Sequence, residues 1–487
     1  MKSSLSLSKN LKNSFWNILE VVLAPLLFFI SIPIFIDILG ENDFGLWMFI
    51  TSIVVFMQSM NLGLPFSTYK HISTGIKEGN KDSISVTLNI NISLTLLLVL
   101  VCVLICSMLN VGIVKFDWFI DNSKDKINLI NGLYLGMGIL AVKFLEQIFY
   151  NGFRAYEEFQ YATIISVGVK LFTVIGNLVI AYLTGNILYI LSYTFFLGML
   201  GVFVSYFATK KLTKFYRFKF TLERMAVKRE IKYAFVTWLQ AITIIFIFQG
   251  DKILVTSKFG MVALSSYVTI AMLFNHMHMA FGALTPWLFP QVAKNQEKAE
   301  EVKGLYISVR NSSIIMSTVI LACFCLISGP LISFWLGEEM YSGITETVKW
   351  FCVFEFFFLL SITPNFYLNA SGMEKFNLRM VLIYTGCNAI GLVLAYVLGT
   401  EVWHFVLALA LSTILGMLLF HYFLNKKIAR YKMGNVIVVM LPAVIGSGIA
   451  LANTWTLKIA FFILCILSLY LIFFKVYKTN LKKIFGD

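Results

Sequence analysis

Two lysines lie deep within long apolar segments of this sequence. A charged side chain in such a segment needs either a compensating interaction or a functional role. Lys143 belongs to the segment 129–151, and Lys170 belongs to the segment 161–183. A lysine at the centre of a membrane-spanning helix costs about 2.5–3.5 kcal/mol. At about 1.5 Å per residue from the nearer helix ends, both lysines lie about 12–13 Å from one membrane surface. If both face a cavity, they form a positive site for a diphosphate group.

Each lysine also has a structural explanation. Glu146 follows Lys143 by three residues on the same helix face and can neutralise it as an ion pair. Lys170 has no acidic residue within one helical turn of the sequence. Its alternatives are to extend toward the membrane surface or to pair with another helix. Both explanations stay open for each lysine.

Four basic residues at helix ends could capture an incoming anionic substrate before it reaches the deeper site: Lys70, Arg154, Arg310 and Arg379. Arginine and lysine at helix ends also serve as anchors that fix a helix at the membrane surface. The sequence therefore allows either role for these four residues.

Six further ionisable residues are candidates for ion coupling or gating: Glu20, Glu146, Asp251, Glu355, His276 and His278. Glu20 and Glu355 have no adjacent base, so they could instead bind sugar hydroxyl groups. Lys252 beside Asp251 can reach lipid headgroups near the outer surface, while Asp251 pairs locally. His276 and His278 point about 200° apart on a helix and cannot share a ligand. One of them could line a cavity while the other packs against a neighbour.

The sequence lacks the short motifs of several enzyme and cofactor sites. It contains no Gly-x4-Gly-Lys-Ser/Thr phosphate loop, His-Glu-x2-His, Asp-x-Asp or Gly-x-Ser-x-Gly. This removes the usual grounds for ATPase, protease, glycosyltransferase or hydrolase activity. Its seven cysteines lie in apolar segments, without a Cys-x2-Cys pair or a histidine at ligand spacing. We therefore expect no metal, no cofactor and no enzymatic activity.

The elements that carry these residues are predicted to be membrane-spanning helices. Of the 487 residues, 59% are apolar and 13% are charged, against roughly 45–50% and 25% in soluble domains. Hydrocarbon tolerates only segments that satisfy their own backbone hydrogen bonds, and these are too long and continuous for barrel strands. We predict an all-α polytopic membrane protein with about fourteen transmembrane helices. The apolar segments are 14–38, 45–69, 85–110, 129–151, 161–183, 188–208, 231–259, 265–290, 305–328, 345–370, 377–398, 403–424, 434–452 and 457–475.

Most basic residues fall in alternate loops, and nine of them lie in the single loop 210–232. By the positive-inside rule, this distribution places both termini in the cytoplasm. We also expect the first segment to stay as a helix, since it lacks the cleavage site of a signal peptide. The net charge of +14 then reflects topology, with contact to anionic lipid headgroups as a second contribution, and not nucleic-acid binding.

The two halves of the chain repeat one pattern. Gly40 ends the first helix and Gly260 ends the seventh, and each precedes an aromatic residue by seven positions. Residues 157–159 match residues 374–376 at a similar offset. Parallel halves of this kind usually enclose a central binding cavity. We predict pseudo-symmetric six-helix bundles over residues 1–208 and 231–424, a basic cytoplasmic linker over 209–230, and two added helices with a cytoplasmic tail over 425–487.

These segments resemble the polysaccharide transporter branch of the multidrug/oligosaccharidyl-lipid/polysaccharide exporter superfamily, most closely the O-antigen flippases. The resemblance covers nearly the whole chain and is carried by Leu39-Gly40 through Trp47, Asn61-Leu62-Gly63-Leu64, Gly250-Asp251-Lys252 with Gly260 and Tyr267, and residues 369–376. It implies an exporter that moves undecaprenyl-pyrophosphate-linked oligosaccharide repeat units to the outer leaflet by alternating access. It also implies a bacterial inner-membrane location. The implied partners are membrane lipids, a polysaccharide polymerase and a chain-length regulator.

Two other functions stay open. The same superfamily contains cation-coupled multidrug exporters, whose cavity should favour carboxylates, so Lys143 and Lys170 argue mildly against that function. A membrane enzyme of polysaccharide assembly, such as a polymerase, usually needs a substantial outward loop. The longest outward loops here, 111–128 and 329–344, are short. The sequence identifies neither the transported glycan nor the energy source.

Overall fold

The computed structural model describes the backbone of most of the chain. The residues outside this description are Met1, Leu62, residues 117–122, Glu157, Phe215, residues 283–298, Gly372, residues 427–433 and residues 486–487. The side chains of some helical residues, residues 2–26 among them, are not described either. Glu20, one of the predicted coupling candidates, therefore lies outside the described side chains.

The described part of the chain consists of fourteen α-helices with short connections and contains no strand. The helices are α1 (Lys2–Gln58), α2 (Leu64–Glu78), α3 (Lys81–Phe116), α4 (Ser123–Ala155), α5 (Phe159–Thr184), α6 (Ile187–Thr213), α7 (Arg224–Gly282), α8 (Ala299–Leu336), α9 (Glu338–Phe358), α10 (Ile362–Ala370), α11 (Glu374–Leu398), α12 (Trp403–Leu424), α13 (Gly434–Leu451) and α14 (Trp455–Phe485). Within the described residues, ten helical segments are long and apolar enough to cross a membrane. Two shorter apolar helices lie at Val439–Leu451 and Trp455–Tyr470. This architecture confirms the predicted all-α polytopic membrane fold.

Glycines break two of the helices at the positions that the repeat identified. The backbone of α1 leaves the helical conformation at Gly40 (φ 76°), and that of α7 leaves it at Gly260 (φ 82°). Glycine adopts a positive φ freely, whereas a residue with a Cβ atom is strained there. The sequence predicted a loop at each place. A single glycine replaces the loop, because one residue at positive φ is enough to redirect the chain.

Two further interruptions fall inside segments that were each predicted as one continuous helix. The predicted helix 45–69 is interrupted by a 3-10 turn at Ser59–Asn61. The α-helical conformation resumes at Leu64, after Gly63 in the left-handed conformation. The predicted helix 345–370 has a 3-10 turn at Leu359–Ser361. Both segments are apolar on average, and average hydropathy does not report on backbone conformation.

Contacts divide the chain into two compact units, Met1–Val268 and Thr269–Asp487. In the first unit, α4 packs against α1, α3 and α6, and α5 packs against α1 and α6. In the second unit, α12 packs against α9 and α11. The predicted boundaries of the two six-helix bundles stay predictions.

Candidate functional site

A cavity of about 290 Å³ in the first unit contains several of the predicted charged residues. Helices α1, α4 and α5 form its walls. Its lining consists of Gln58, Lys143, Glu146, Gln147, Tyr150, Asn151, Arg154, Ser166, Val169 and Lys170. The structure thus brings Lys143, Lys170, Arg154 and Glu146 to one place. The condition under which the two lysines could form one positive site is met, while their role in binding substrate stays a prediction.

Helical periodicity explains why these residues converge. Between Lys143 and Arg154, the six lining residues of α4 follow one another at alternating spacings of three and one. The three lining residues of α5 have the same spacings up to Lys170. Residues three or four apart lie on one face of a helix. Each helix therefore presents one polar stripe, and the two stripes meet in the cavity.

Lys143 and Glu146 form the ion pair that the sequence offered as the structural explanation for Lys143. The Nζ atom of Lys143 donates to Oε2 of Glu146 at 2.7 Å. The Glu146 side chain is 4% exposed, while the Lys143 side chain is 33% exposed. The ammonium group therefore keeps access to the cavity while the carboxylate is held in the wall.

The cavity lining carries three basic side chains and one carboxylate. The basic ones are Lys143, Arg154 and Lys170, so the formal charge of the lining is positive. Low local dielectric strengthens the attraction between such a lining and an anion. The arrangement suits a ligand with more than one negative charge.

Neutral hydrogen-bonding groups complete the cavity wall. The side-chain oxygen of Gln147 accepts a hydrogen bond from Nδ2 of Asn61 at 2.9 Å, and Asn61 in turn accepts from the Gly63 amide. Nδ2 of Asn151 donates to the Gln147 carbonyl at 2.8 Å. These contacts hold the amide side chains in place, where their remaining donors and acceptors can bind hydroxyl groups.

The other three predicted capture residues are not among the lining residues of this cavity. Lys70 is an exposed residue of α2. Arg310, in α8 of the second unit, lies over the Tyr306 ring and donates to Asn311 at 3.0 Å. Arg379 is an exposed residue of α11. Their predicted role in capturing substrate stays a prediction.

In the second unit, Glu355 has a basic partner that the sequence did not reveal. Its Oε1 atom lies 2.9 Å from Nδ1 of His278, and the Glu355 side chain is almost fully buried. The His278 ring stacks on Phe358, with centroids 4.2 Å apart. The expectation that Glu355 lacks a base considered only its own helix, whereas the partner comes from α7. His276 is partly exposed, and no described set of three ligating side chains gathers around either histidine to hold a metal ion.

Asp251 belongs to a buried polar cluster of the first unit. It accepts a hydrogen bond from the Tyr267 hydroxyl at 2.5 Å and one from the Lys252 amide at 2.8 Å. The Lys252 ammonium donates to Gln249 at 3.0 Å and is buried, so the expectation that it reaches the outer headgroups was wrong. Tyr267 lies across the Gly260 break from Asp251, so the cluster joins the two parts of α7.

Sequence analysis missed a further buried carboxylate, Glu230, near the start of α7. Its Oε2 atom accepts from Ser67 and lies 2.7 Å from Nδ1 of His71, and its Oε1 accepts from Arg229 at 2.8 Å. Burial by itself raises the pKa of Glu230. The hydrogen bonds from His71, Ser67 and Arg229 and the charge of His71 outweigh burial and hold that pKa below its usual value. The available signal was a glutamate directly after Lys228 and Arg229 in a strongly basic stretch of the sequence.

The lowered pKa of Glu230 predicts a pH-dependent contribution to stability. A carboxylate whose pKa is lower in the folded state stabilises it above the unfolded pKa, and this is lost as pH falls through the folded pKa. We expect Glu230→Gln to lower the free energy of unfolding by about 1.5–3 kcal/mol near neutral pH. Thermal unfolding of the detergent-purified protein over a pH series measures this, with the exposed Glu223→Gln as control. A difference between Glu230→Gln and the parent that stayed constant down to acid pH would contradict the assignment.

Comparisons with known proteins agree with this fold. The family model described as "Polysaccharide biosynthesis protein" matches residues 10–296, more than half of the chain. No curated protein matches the sequence. The chain is similar to the structure of "Lipid II flippase MurJ, inward closed conformation", with a TM-score of 0.68 and 15% identity over 97% of this chain and 99% of that one.

Two multidrug transporters share the fold as well. An inward-facing multidrug resistance MATE family transporter of the MOP superfamily has a TM-score of 0.64 and 11% identity, over 84% of this chain and 98% of that one. The MATE multidrug transporter DinF-BH has a TM-score of 0.64 and 13% identity, over 87% of this chain and 97% of that one. At these identities the similarity shows a common fold.

Proposed function

Because the chain belongs to the polysaccharide biosynthesis protein family, we propose that it is a flippase for undecaprenyl-pyrophosphate-linked oligosaccharide repeat units. It moves them from the cytoplasmic to the outer leaflet by alternating access. The observation that carries the proposal is the meeting of Lys143, Arg154 and Lys170 in one cavity. O-antigen or a similar surface polysaccharide is the proposed class of cargo.

The diphosphate is the part of such a substrate that the membrane opposes most strongly. It carries about two negative charges, and an isolated charge is very costly in hydrocarbon. Charge-assisted hydrogen bonds from ammonium and guanidinium groups offset this cost. The cavity supplies both kinds of group within the fold of a membrane protein, while the lipid tail stays in the bilayer.

The Lys143–Glu146 ion pair lowers the net positive charge of the cavity lining. Glu146 offsets the charge of Lys143, one of the three basic groups in the lining. A diphosphate can share the partly exposed Lys143 ammonium without displacing the buried carboxylate. The amides of Gln58, Gln147 and Asn151 line the same space and suit the hydroxyl groups of the sugar nearest the diphosphate.

The likeness to a lipid II flippase supports a lipid-linked cargo, whereas the likeness to multidrug transporters supports a second candidate function. In that alternative, the chain is a cation-coupled multidrug exporter. The buried Glu355 beside His278 favours it, since carboxylates and histidines within membrane-spanning helices commonly mark ion pathways. The excess of basic groups in the cavity argues against a cationic drug. The same excess makes an anionic lipid-linked cargo the better proposal.

Deletion of the gene tests transport against enzymatic assembly. We expect complete repeat units to accumulate on their lipid carrier while the surface polymer disappears, because the cargo is made but not moved. Mass analysis of the lipid-linked pool measures this. Truncated or absent repeat units would count against transport and favour a membrane enzyme. A polysaccharide polymerase and a chain-length regulator are the proposed partners on the far side of the membrane.

The proposed orientation places both termini on the cytoplasmic side of the bacterial inner membrane. In a variant without the seven native cysteines, we expect a cysteine at Ser342 to react with an impermeant thiol reagent added to intact cells, because Ser342 lies within the proposed outward loop 329–344. A cysteine at Thr221, between α6 and α7, should react only after the membrane is permeabilised. Labelling of Thr221→Cys in intact cells would overturn the orientation.

A further inference from the structure

The connection between α6 and α7 is an ordered segment of the protein. We call residues 214–223 the α6–α7 segment; Phe215 within it is not described. Of the predicted linker 209–230, residues 209–213 continue α6 and residues 224–230 begin α7. Lys214 ends α6 with a positive φ of 53°, which turns the chain away from the helix axis. The rest of the segment is a short stretch of non-helical backbone.

The segment is fixed to α3 through its backbone. Asn89 of α3 donates to the Arg217 carbonyl at 3.4 Å and accepts from the Lys219 amide at 3.0 Å. Ser93 accepts from the Thr221 amide at 3.1 Å. Tyr216 is 1% exposed and packs in the apolar core of α2, α3 and α4. Since these bonds use main-chain atoms at alternate residues, they hold an extended segment regardless of its exposed side chains.

The outward side chains of this segment combine aromatic and basic groups. Phe218, Phe220 and Leu222 are 42%, 53% and 42% exposed. They occupy alternate positions, which share one side of an extended chain. Lys214, Arg217 and Lys219 are exposed as well. One side of the segment is therefore apolar, and exposed basic residues alternate with the aromatic ones along the chain.

The position of the segment along α3 places it at a membrane surface. The first thirteen residues of α3, 81–93, are rich in serine, threonine and asparagine, whereas residues 94–109 are almost entirely apolar. The change from polar to apolar composition marks the entry of the helix into hydrocarbon. Ser93, which binds Thr221, stands at this change. The exposed aromatic residues thus lie at the level of the lipid headgroups.

We propose that the α6–α7 segment binds the anionic phospholipid surface beside the protein. Phe218, Phe220 and Leu222 enter the headgroup region, and Lys214, Arg217 and Lys219 contact the phosphates. Aromatic and aliphatic residues bordered by basic ones form the composition that binds anionic membrane interfaces. The binding anchors the connection between α6 and α7 to the bilayer. It does not depend on which cargo the protein carries.

The test uses the full-length protein in lipid nanodiscs, with an environment-sensitive fluorescent amino acid at position 220. The nanodiscs contain phosphatidylcholine, with phosphatidylglycerol added in increasing fraction. We expect phosphatidylglycerol to protect the fluorophore from aqueous iodide and to expose it to a lipid-attached quencher. In R217S/K219S, the apparent affinity for phosphatidylglycerol should fall on the order of fivefold per removed charge. K77S removes an exposed lysine of α2 and should leave the response unchanged.

The outcomes separate lipid binding from its alternatives. The docking bonds of Arg217 and Lys219 are made by backbone atoms, so R217S/K219S should fold and elute like the parent protein. Iodide access in every membrane would overturn the proposal and indicate a surface that faces water or a soluble protein. Equal protection with and without phosphatidylglycerol would overturn the role of the basic residues. If R217S/K219S responded to phosphatidylglycerol as the parent protein does, the role of the basic residues would likewise be overturned.

Discussion

Lys170→Ala is expected to be made at normal levels yet fail to restore the surface polysaccharide in a deletion strain. The substitution removes one of three basic groups from the cavity, together with a charge-assisted contact to the diphosphate. A hydrogen bond to a charged group contributes about 1.5–3 kcal/mol, which corresponds to a roughly 10- to 100-fold loss of transport. Lys170→Arg keeps the charge and should retain part of the activity. Polymer is measured on whole cells at matched expression.

Lys143 provides the matched comparison within the cavity. Lys143→Ala alone would leave Glu146 buried without its partner, and an uncompensated buried charge destabilises the fold. The informative variant is therefore Lys143→Ala combined with Glu146→Gln, which removes both members of the pair. We expect it to be milder than Lys170→Ala, since Glu146 already offsets part of the Lys143 charge. Full restoration of polymer by Lys170→Ala at native expression would assign this residue a structural role.

Gly45→Ala is expected to lower the free energy of unfolding of the first unit, although it adds only one methyl group. Gly45 lies just after the Gly40 break of α1 and packs against the chain just after the Gly260 break of α7. A Cβ atom at Gly45 would lie 2.0 Å from the Met261 carbonyl oxygen. Backbone atoms cannot turn aside as a side chain can, so the helices must separate. Overpacking of this kind typically costs about 1–3 kcal/mol.

Gly168→Ala in α5 is the control for the Gly45 substitution. A Cβ atom at Gly168 meets nothing within 4 Å. Alanine in a helix is favoured over glycine by roughly 0.5–1 kcal/mol, so this change should be neutral or slightly stabilising. Thermal unfolding of both variants in detergent, followed by size-exclusion chromatography, measures the difference. Equal unfolding temperatures for Gly45→Ala and Gly168→Ala would show that α1 and α7 are not in close contact at this point.

The common depth of two cavity residues could be predicted from sequence because helices have a constant rise per residue. Counting from the helix ends gave Lys143 and Lys170 one depth, and helical spacing put Glu146 beside Lys143. The structure places all three in one lining. The glycines of the repeat were also informative, since Gly40 and Gly260 adopt similar positive φ angles. The match of the polysaccharide biosynthesis protein model confirms the family that these segments suggested.

Pairs between distant parts of the chain could not be predicted in this way. Glu355 and His278 are 77 residues apart, and Glu230 is 159 residues from His71. Periodicity describes one helix at a time and carries no information about which helices are neighbours. The same limit applies to the segment after α6. The composition of this segment indicated a linker between two bundles. Its fixed position on α3 depends on hydrogen bonds to Asn89 and Ser93, which the sequence does not reveal.

The most direct measurement of the proposed function is movement of the lipid-linked cargo by the purified protein. Proteoliposomes would contain a polyprenyl diphosphate that carries a labelled oligosaccharide, and an impermeant reagent would report the headgroups that reach the opposite leaflet. We predict translocation that is fast with the parent protein, reduced with Lys170→Arg and close to protein-free vesicles with Lys170→Ala. Translocation by the parent protein no faster than in protein-free vesicles, or equal translocation by Lys170→Ala, would contradict the assignment of this cavity to diphosphate transport.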